Sequence, residues 1–408
     1  MISAELVLHI FKAASISRWN DFARISNLVE LDKQAHKAVI AYFLAKSEKN
    51  IDMRFLLDAI VVEFISRVIV TDIRPDVLNE IKKTKQKELN HWIIKQFENM
   101  KTSKEFSDIF KNYYLDTSHE REKFILKAAG FLSTKYEFNF IYPNVSNYEE
   151  IKNKLDEELE DYLEILAVQK IALNQKLAKV IDLSGRLRFQ KRWAQTPRIP
   201  ETSVLGHMLV VAILSYFYCL KIKACDERII NNFFCALFHD LPESLTRDII
   251  TPVKYGVQGL DEILSDYEVK LIDEKILPNV PYALQKEFSY LLGLYNDENK
   301  IKKNEFTNRI LVDNEIKINI DLDKYNENKY MAIDGKVLKA CDKTAAFLEA
   351  LISIYYGVKS KDLLDGINKI KDSFLQNQVI GNINFYDLIC GFENYFLDPS
   401  QDTCGTQS

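Results

Sequence analysis

A histidine followed at once by an aspartate, His239-Asp240, ends the apolar string NNFFCALFHDLPES. An ionisable pair at the end of an apolar run costs desolvation free energy unless something compensates it, and a divalent cation compensates an imidazole lone pair and a carboxylate together. Taken alone, the dipeptide reads as plainly as a capping aspartate beside a core histidine. Three further residues favour a metal. His207 opens a second apolar string, GHMLVVAILSYFY, and Asp342 ends a third, VLKACD. Carried on separate helices, these four side chains can converge, which is how helical bundles build metal sites. Glu243 follows His239 by four residues and Asp240 by three. It shares their face if the helix runs on, although Pro242 stands in the way, and there it could exchange a proton with water at the metal.

Two histidines and two aspartates with open positions suit an octahedral divalent ion such as Mn²⁺, Co²⁺, Fe²⁺ or Mg²⁺ better than a closed structural zinc. Such an ion polarises a phosphoryl oxygen and lowers the pKa of water. Phosphoryl transfer spreads negative charge over the equatorial oxygens, and Arg192 and Lys254 are the nearby cations that could meet it.

The elements that must carry these residues read as helices. Apolar residues return at three and four positions, as in Leu209, Ala212, Ile213, Tyr216 and in Leu348, Leu351, Ile352, Tyr355, and only twelve Gly and nine Pro interrupt the chain. The fold class is therefore mainly α. At 408 residues, two domains are expected, because single cores stop growing at roughly 250 to 300 residues. Residues 296–330 are rich in Asn, Asp, Glu and Lys and contain the alternating EIKINIDLDKY, read as a β-hairpin inserted at the surface. The tail 396–408 lacks periodicity and is expected to be loose.

Short strings also recur in the same order in both halves. Arg18-Trp19 answers Arg192-Trp193, His36 answers His207, Asp72-Ile73-Arg74-Pro75 answers the segment from Asp248 to Pro252, and Leu126-Lys127-Ala128-Ala129 answers Leu338-Lys339-Ala340-Cys341. The separation stays nearly constant until the hairpin intervenes. This pattern predicts two helical domains in tandem, 1–150 and 151–395. The first is degenerate, with Glu63, Phe64, Arg67 and Gly130 where the second has His239, Asp240, Glu243 and Asp342. A duplicated chain of this kind could form its own pseudo-dimer.

Arg192-Trp193, the run HDLPESLTRDIITPVKY from His239 to Tyr255, and KACDKTAAFLEA around Asp342 resemble the bacterial HD-superfamily 5′-deoxynucleotidases of the YfbR group over roughly residues 185–355. The resemblance implies a mononuclear site in which His207, His239, Asp240 and Asp342 hold the metal and Glu243 is the acid/base. It also implies that Arg192 contacts phosphate, Trp193 shapes the pocket and Asp248 lies near the sugar hydroxyl. No histidine follows His239, which argues against the two-metal members of the superfamily. Where the family has Ser-Glu before the first ligand, this chain has Leu205-Gly206. A supporting carboxylate is thus absent there or comes from Glu201.

These features imply a metal-dependent phosphohydrolase acting on a small phosphate ester or nucleotide, in the first instance a (deoxy)nucleoside 5′-monophosphate. A non-catalytic HD scaffold that senses nucleotides or binds a partner, or a hydrolase of a signalling nucleotide, would share most of the pattern. A net charge of −5 offers no global field for nucleic acid or an anionic membrane. The apolar run Met208–Leu220 is shorter than the ~18 to 20 residues a bilayer span needs. The N-terminal stretch has no basic region ahead of its apolar residues, and the six cysteines form no CxxC pair. A cytoplasmic chain without a disulfide framework is expected. The lysine-rich IKKTKQKELNHW, residues 81–92, reads as a solvated helix face, Phe217 to Phe238 as core, and His36 as a packed core histidine.

Overall fold

A computed structural model of the chain describes residues 2–247, 258–297 and 300–397. The architecture is mainly helical, and the sheets among the described residues are four two-stranded antiparallel ones. Glu30–Lys46 in the first half packs on Glu120–Phe138 and also on Val204–Lys221 in the second. Val204–Lys221 in turn packs on Asp226–Phe238 and Gly335–Tyr355, the helices that lead to or carry the remaining candidate ligands.

Val204–Lys221 is apolar all round, the pattern of a helix surrounded by protein. By length and composition it is the one described helix that could cross a membrane, yet 94% of it is buried inside the protein. One apolar cluster runs through both halves. Tyr42 meets Phe234 and Phe238 with ring centroids 4.8 and 5.2 Å apart, and Phe106 meets Phe217 at 4.8 Å. The stretch Phe217–Phe238 is core, as its helical spacing predicts.

The expected single hairpin is two, Leu294–Asp297 with Lys300–Lys303 and Arg309–Val312 with Glu315–Ile318. The segment is also not simply superficial, because Arg309 is fully buried between the hairpins and the core. Its guanidinium lies 5.3 Å from the centre of the Tyr290 ring and donates to the carbonyls of Tyr290 and Leu291. Those carbonyls end the Gln285–Leu291 helix, where the regular helical donors run out. A polar composition thus hides one cation with a structural task. Phe396, expected to open a loose tail, is instead buried in the Phe385–Leu397 helix, and the rest of that stretch from residue 398 lies outside the described residues.

The Gly335–Tyr355 helix, which carries Asp342, is fixed at its start by Asp334. This carboxylate takes two bonds from Arg228, at 2.7 and 2.6 Å, one from Asn232 at 2.9 Å and one from the Tyr218 hydroxyl at 3.1 Å. All four groups are buried, so removing the cation strands an anion in the core. Arg228→Ala is expected to cost roughly 3–5 kcal/mol of stability, read as a lower denaturant midpoint. A midpoint within experimental error of wild type would show that the network does not hold this helix.

Two turns share an unusual geometry. Trp19 and Trp193 both have positive φ, 53° and 54°. Each lies two residues beyond an antiparallel pairing, Ser17 with Val29 and Lys191 with Ser203. Each indole N–H then donates to a buried glutamate, Trp19 to Glu137 at 3.2 Å and Trp193 to Glu349 at 3.1 Å. His207 stands four residues after Ser203, and Lys33 stands four after Val29. Lys33 therefore stands in the same relation to the turn at Trp19 as His207 does to the turn at Trp193, and lies one helical turn before His36. His36 itself is a packed core histidine, with Nε2 3.0 Å from the Ile181 carbonyl and Nδ1 3.2 Å from the Arg188 guanidinium.

Candidate metal centre

His207 sits in the first turn of Val204–Lys221, which Ser203 caps by accepting from the Gly206 N–H at 2.9 Å. Asp226–Phe238 ends at His239, and Glu243–Thr246 forms a separate short helix beyond Pro242. The helix does not run on, because proline cannot supply the next backbone donor. Glu243 is instead held by the turn, its N–H donating to the Asp240 carbonyl at 3.0 Å and its carbonyl accepting from Gln190 at 3.0 Å.

The helices bring His207, His239 and Asp240 together, with one donor atom from each lying within 4.8 Å of the others. Asp342 joins from the third helix, its Oδ1 2.9 Å from His207 Nε2. His239 Nδ1 donates to the Ala236 carbonyl at 2.7 Å, which orients the ring. Its Nε2 is then buried without a hydrogen bond, 3.1 Å from Asp240 Oδ2. In the neutral ring this nitrogen bears a lone pair, so two acceptors face one point in the interior. Imidazole and carboxylate donors in that arrangement fit a divalent cation.

Electrostatics agree with a site built around positive charge. Burial alone would lower the pKa of His239, but the Asp240 carboxylate beside it prevails and raises it to about 9. Burial and the Arg192 charge both oppose protonation of His207, yet Glu349 and Asp342 outweigh them and raise its pKa. Burial would raise Asp240, and the positive rings together with Arg192 instead hold it well below the usual carboxylate range. Asp342 is lowered in the same way, against burial, by His207 and His239.

Glu349 was not legible as a site residue. It accepts from His207 Nδ1 at 3.1 Å, from Trp193 at 3.1 Å and from Thr202 at 2.8 Å, and is almost fully buried. It supplies the supporting carboxylate expected to be missing or to come from Glu201. Glu201 is instead exposed and paired with Lys191 at 2.6 Å. The available signal was spacing, since Glu349 follows Asp342 by seven residues, two helical turns on one face. Gly206 stands where the resemblance would place a glutamate because a Cβ there would lie 2.9 Å from both Asp32 Oδ1 and Leu31 Cδ2 of the first half.

Arg192 lies near enough for its charge to act on His207, Asp240 and Glu349, and its N–H donates to the Thr202 carbonyl at 3.0 Å. Trp193 packs its ring over Gly366, where any Cβ would come within 2.4 Å of the indole. Asp248 and Lys254, with the rest of the DIITPVKY run, fall outside the described residues.

Residues 184–371 match the HD domain family, a span that contains His207, His239, Asp240 and Asp342. The 5′-deoxynucleotidase YfbR of Escherichia coli O1:K1 is 31% identical over 126 residues, 28% of this chain and 60% of that protein. A 5′-deoxynucleotidase of Photobacterium profundum is 28% identical over 128 residues, 30% of this chain and 62% of that protein. The chain thus spans about 60% of the length of the curated relatives it matches. The crystal structure of an HD-domain phosphohydrolase from Listeria innocua aligns with 54% of this chain and 86% of that one at 19% identity and a TM-score of 0.33. With a His-Asp cluster assembled from three helices inside the matched span, residues 184–371 match the HD domain family and are similar in sequence to bacterial 5′-deoxynucleotidases.

Proposed function

We propose that the second half is a metal-dependent phosphohydrolase that removes phosphate from a nucleotide, in the first instance a (deoxy)nucleoside 5′-monophosphate. The observation that carries this reading is the convergence of His207, His239, Asp240 and Asp342 around a buried imidazole nitrogen without a hydrogen bond. Those four residues would hold one divalent ion, drawn from Mn²⁺, Co²⁺, Fe²⁺ and Mg²⁺ by the oxygen and imidazole donors. When bound, the ion supplies Lewis-acid polarisation of a phosphoryl oxygen and acidifies water at the site.

The chain's own residues do the rest. Arg192 binds the phosphate and offsets charge that grows toward the transition state, in a protein that is acidic overall. Glu243, tied by its N–H to the Asp240 carbonyl, takes the proton from the attacking water and returns it to the leaving sugar oxygen. Trp193, pinned by Glu349, walls the pocket, while Asp248 and Lys254 would meet the sugar and phosphate from the segment beyond Arg247. Glu349 acts at one remove by fixing the His207 ring.

Glu349→Gln, which keeps shape and removes charge, is expected to weaken metal affinity about 10- to 100-fold. Activity at saturating metal should fall less. Unchanged metal affinity in a direct titration would show that Glu349 serves only Trp193 and the fold.

The reading is tested by assaying purified protein with deoxy- and ribonucleoside monophosphates under Mn²⁺, Co²⁺ and Mg²⁺. Phosphate release from at least one nucleotide, abolished by chelator and restored by metal, is the expected result. Metal binding without any release would favour a scaffold instead.

We also read residues 1–150 as a degenerate copy of the same domain, placed as a partner subunit would be. The paired turns at Trp19 and Trp193, their glutamates and the shared apolar core support this.

A further inference from the structure

A cavity of about 710 Å³ opens in the first half, away from the His-Asp cluster. Seven basic side chains line it against two carboxylates, Glu63 and Glu158. Four of the seven have partners. Arg18 is held by Glu30 and Glu137, both at 2.8 Å, Arg67 lies 3.4 Å from Glu30, Lys37 pairs with Glu63, and Lys123 pairs with Asp116 at 2.8 Å. Lys33, Lys82 and Lys127 line the same space and have no carboxylate at ion-pair distance among the described residues. Lys82 belongs to the lysine-rich string read as a solvated face; it is exposed, as that reading expects, and lines the mouth of this cavity. Burial, with repulsion from Arg18 and Lys37 opposing the attraction of Glu30, brings the Lys33 ammonium down to about 7. An acidic chain has thus gathered uncompensated positive charge in one concave place.

The position of the cavity adds to its charge. Gly130 precedes Glu137 by seven residues, as Asp342 precedes Glu349, and the Lys33 Nζ lies 3.7 Å from where a Gly130 Cβ would be. Lys33 and Gly130 therefore stand where the second half has the His207–Asp342 pair. A lysine has replaced a ligand, and a missing side chain leaves room beside it. The volume falls in the range of small-molecule sites, far above that of a lone phosphate. Tyr113, Tyr114 and Phe131 supply ring surface, and Asn79, Gln86 and Asn90 supply amide groups able to read a base edge.

We propose that this cavity binds a nucleoside phosphate, its phosphate held by Lys33, Lys82, Lys127 and Arg67, without a metal and without hydrolysing it. The lysines here take over the charge that metal and arginine would present in the second half, so affinity remains while the means of cleavage is gone. The inference concerns binding alone and stands whether or not the second half is a hydrolase.

The test is calorimetric titration of the full chain in excess EDTA with AMP, dAMP, ADP and ATP, with pyrophosphate as the arm lacking a nucleoside. Saturable binding of at least one nucleotide is expected, weakening at least tenfold in Lys82→Glu and in Lys127→Glu. These two lysines lie at the cavity wall, and circular dichroism checks that the variants remain folded. Asp240→Ala should leave this binding unchanged. No nucleotide binding in EDTA, or binding lost in Asp240→Ala but kept in both lysine variants, overturns the proposal. Pyrophosphate binding as tightly as ADP would overturn its nucleoside part.

Discussion

Replacing Asp240 by alanine is expected to remove both bound metal and turnover. The carboxylate is an anionic donor at a buried site, 3.1 Å from the His239 nitrogen that has no hydrogen bond, and water cannot replace it without weakening the site. Its loss also lets His239 fall back, because Asp240 is what holds that imidazole near 9. With Asp240 raising the His239 pKa to about 9, proton and metal compete for its Nε2 below that pH. Metal affinity should therefore rise with pH up to about 9 and flatten above. Metal content by plasma emission spectroscopy and phosphate release are the measurements. An Asp240→Ala protein with full activity and stoichiometric metal would place the chemistry elsewhere.

The second large effect is expected at Glu243, where Gln should cut turnover by on the order of 10² to 10⁴ while leaving metal binding nearly intact, the usual worth of general acid/base catalysis. The short Glu243–Thr246 helix is held by backbone bonds that glutamine preserves. Shape is kept and proton transfer is lost. Parallel titration of metal decides the outcome, since equal loss of metal and rate would make Glu243 a ligand instead.

The two variants test different links. Asp240 acts through the charge that holds an ion, and Glu243 through a proton at the reacting oxygen. A chain that lost turnover in both but kept metal only in Glu243→Gln would show the two roles separated as proposed. Neither variant bears on the first-half cavity, whose cations lie on the Ser17–Arg18 strand and on Glu30–Lys46, Met53–Val70, Pro75–Glu98 and Glu120–Phe138.

Much of the centre was legible from residue types and local spacing. An adjacent His-Asp pair closing an apolar helix, a second histidine opening another and an aspartate closing a third are one-dimensional signals, because desolvation makes ionisable groups rare in such runs. Helical periodicity likewise announced the mainly α fold, and the alternating EIKI announced a strand that does pair in a hairpin. Glu349 escaped because nothing local distinguishes it from a surface glutamate on a helix. Only packing shows that its face is turned inward onto His207 and Trp193. Arg309 escaped for the same reason, since a cation in a polar stretch reveals no task until the carbonyls of a helix end are laid against it.

The sequence by itself determined which elements form and which donor atoms are available, because both follow from local periodicity and side-chain chemistry. Tertiary structure decided which residues stand alike around the two tryptophan turns. Matching letters paired His36 with His207, but counted from the strand pairings Ser17–Val29 and Lys191–Ser203 it is Lys33 that stands as His207 does. A shift of one helical turn is invisible to a pattern that repeats every turn, whereas backbone hydrogen bonds admit a single register. It also decided where charge accumulates. Lys33, Lys82 and Lys127 lie far apart along the chain and join one cavity only because three helices bring them there.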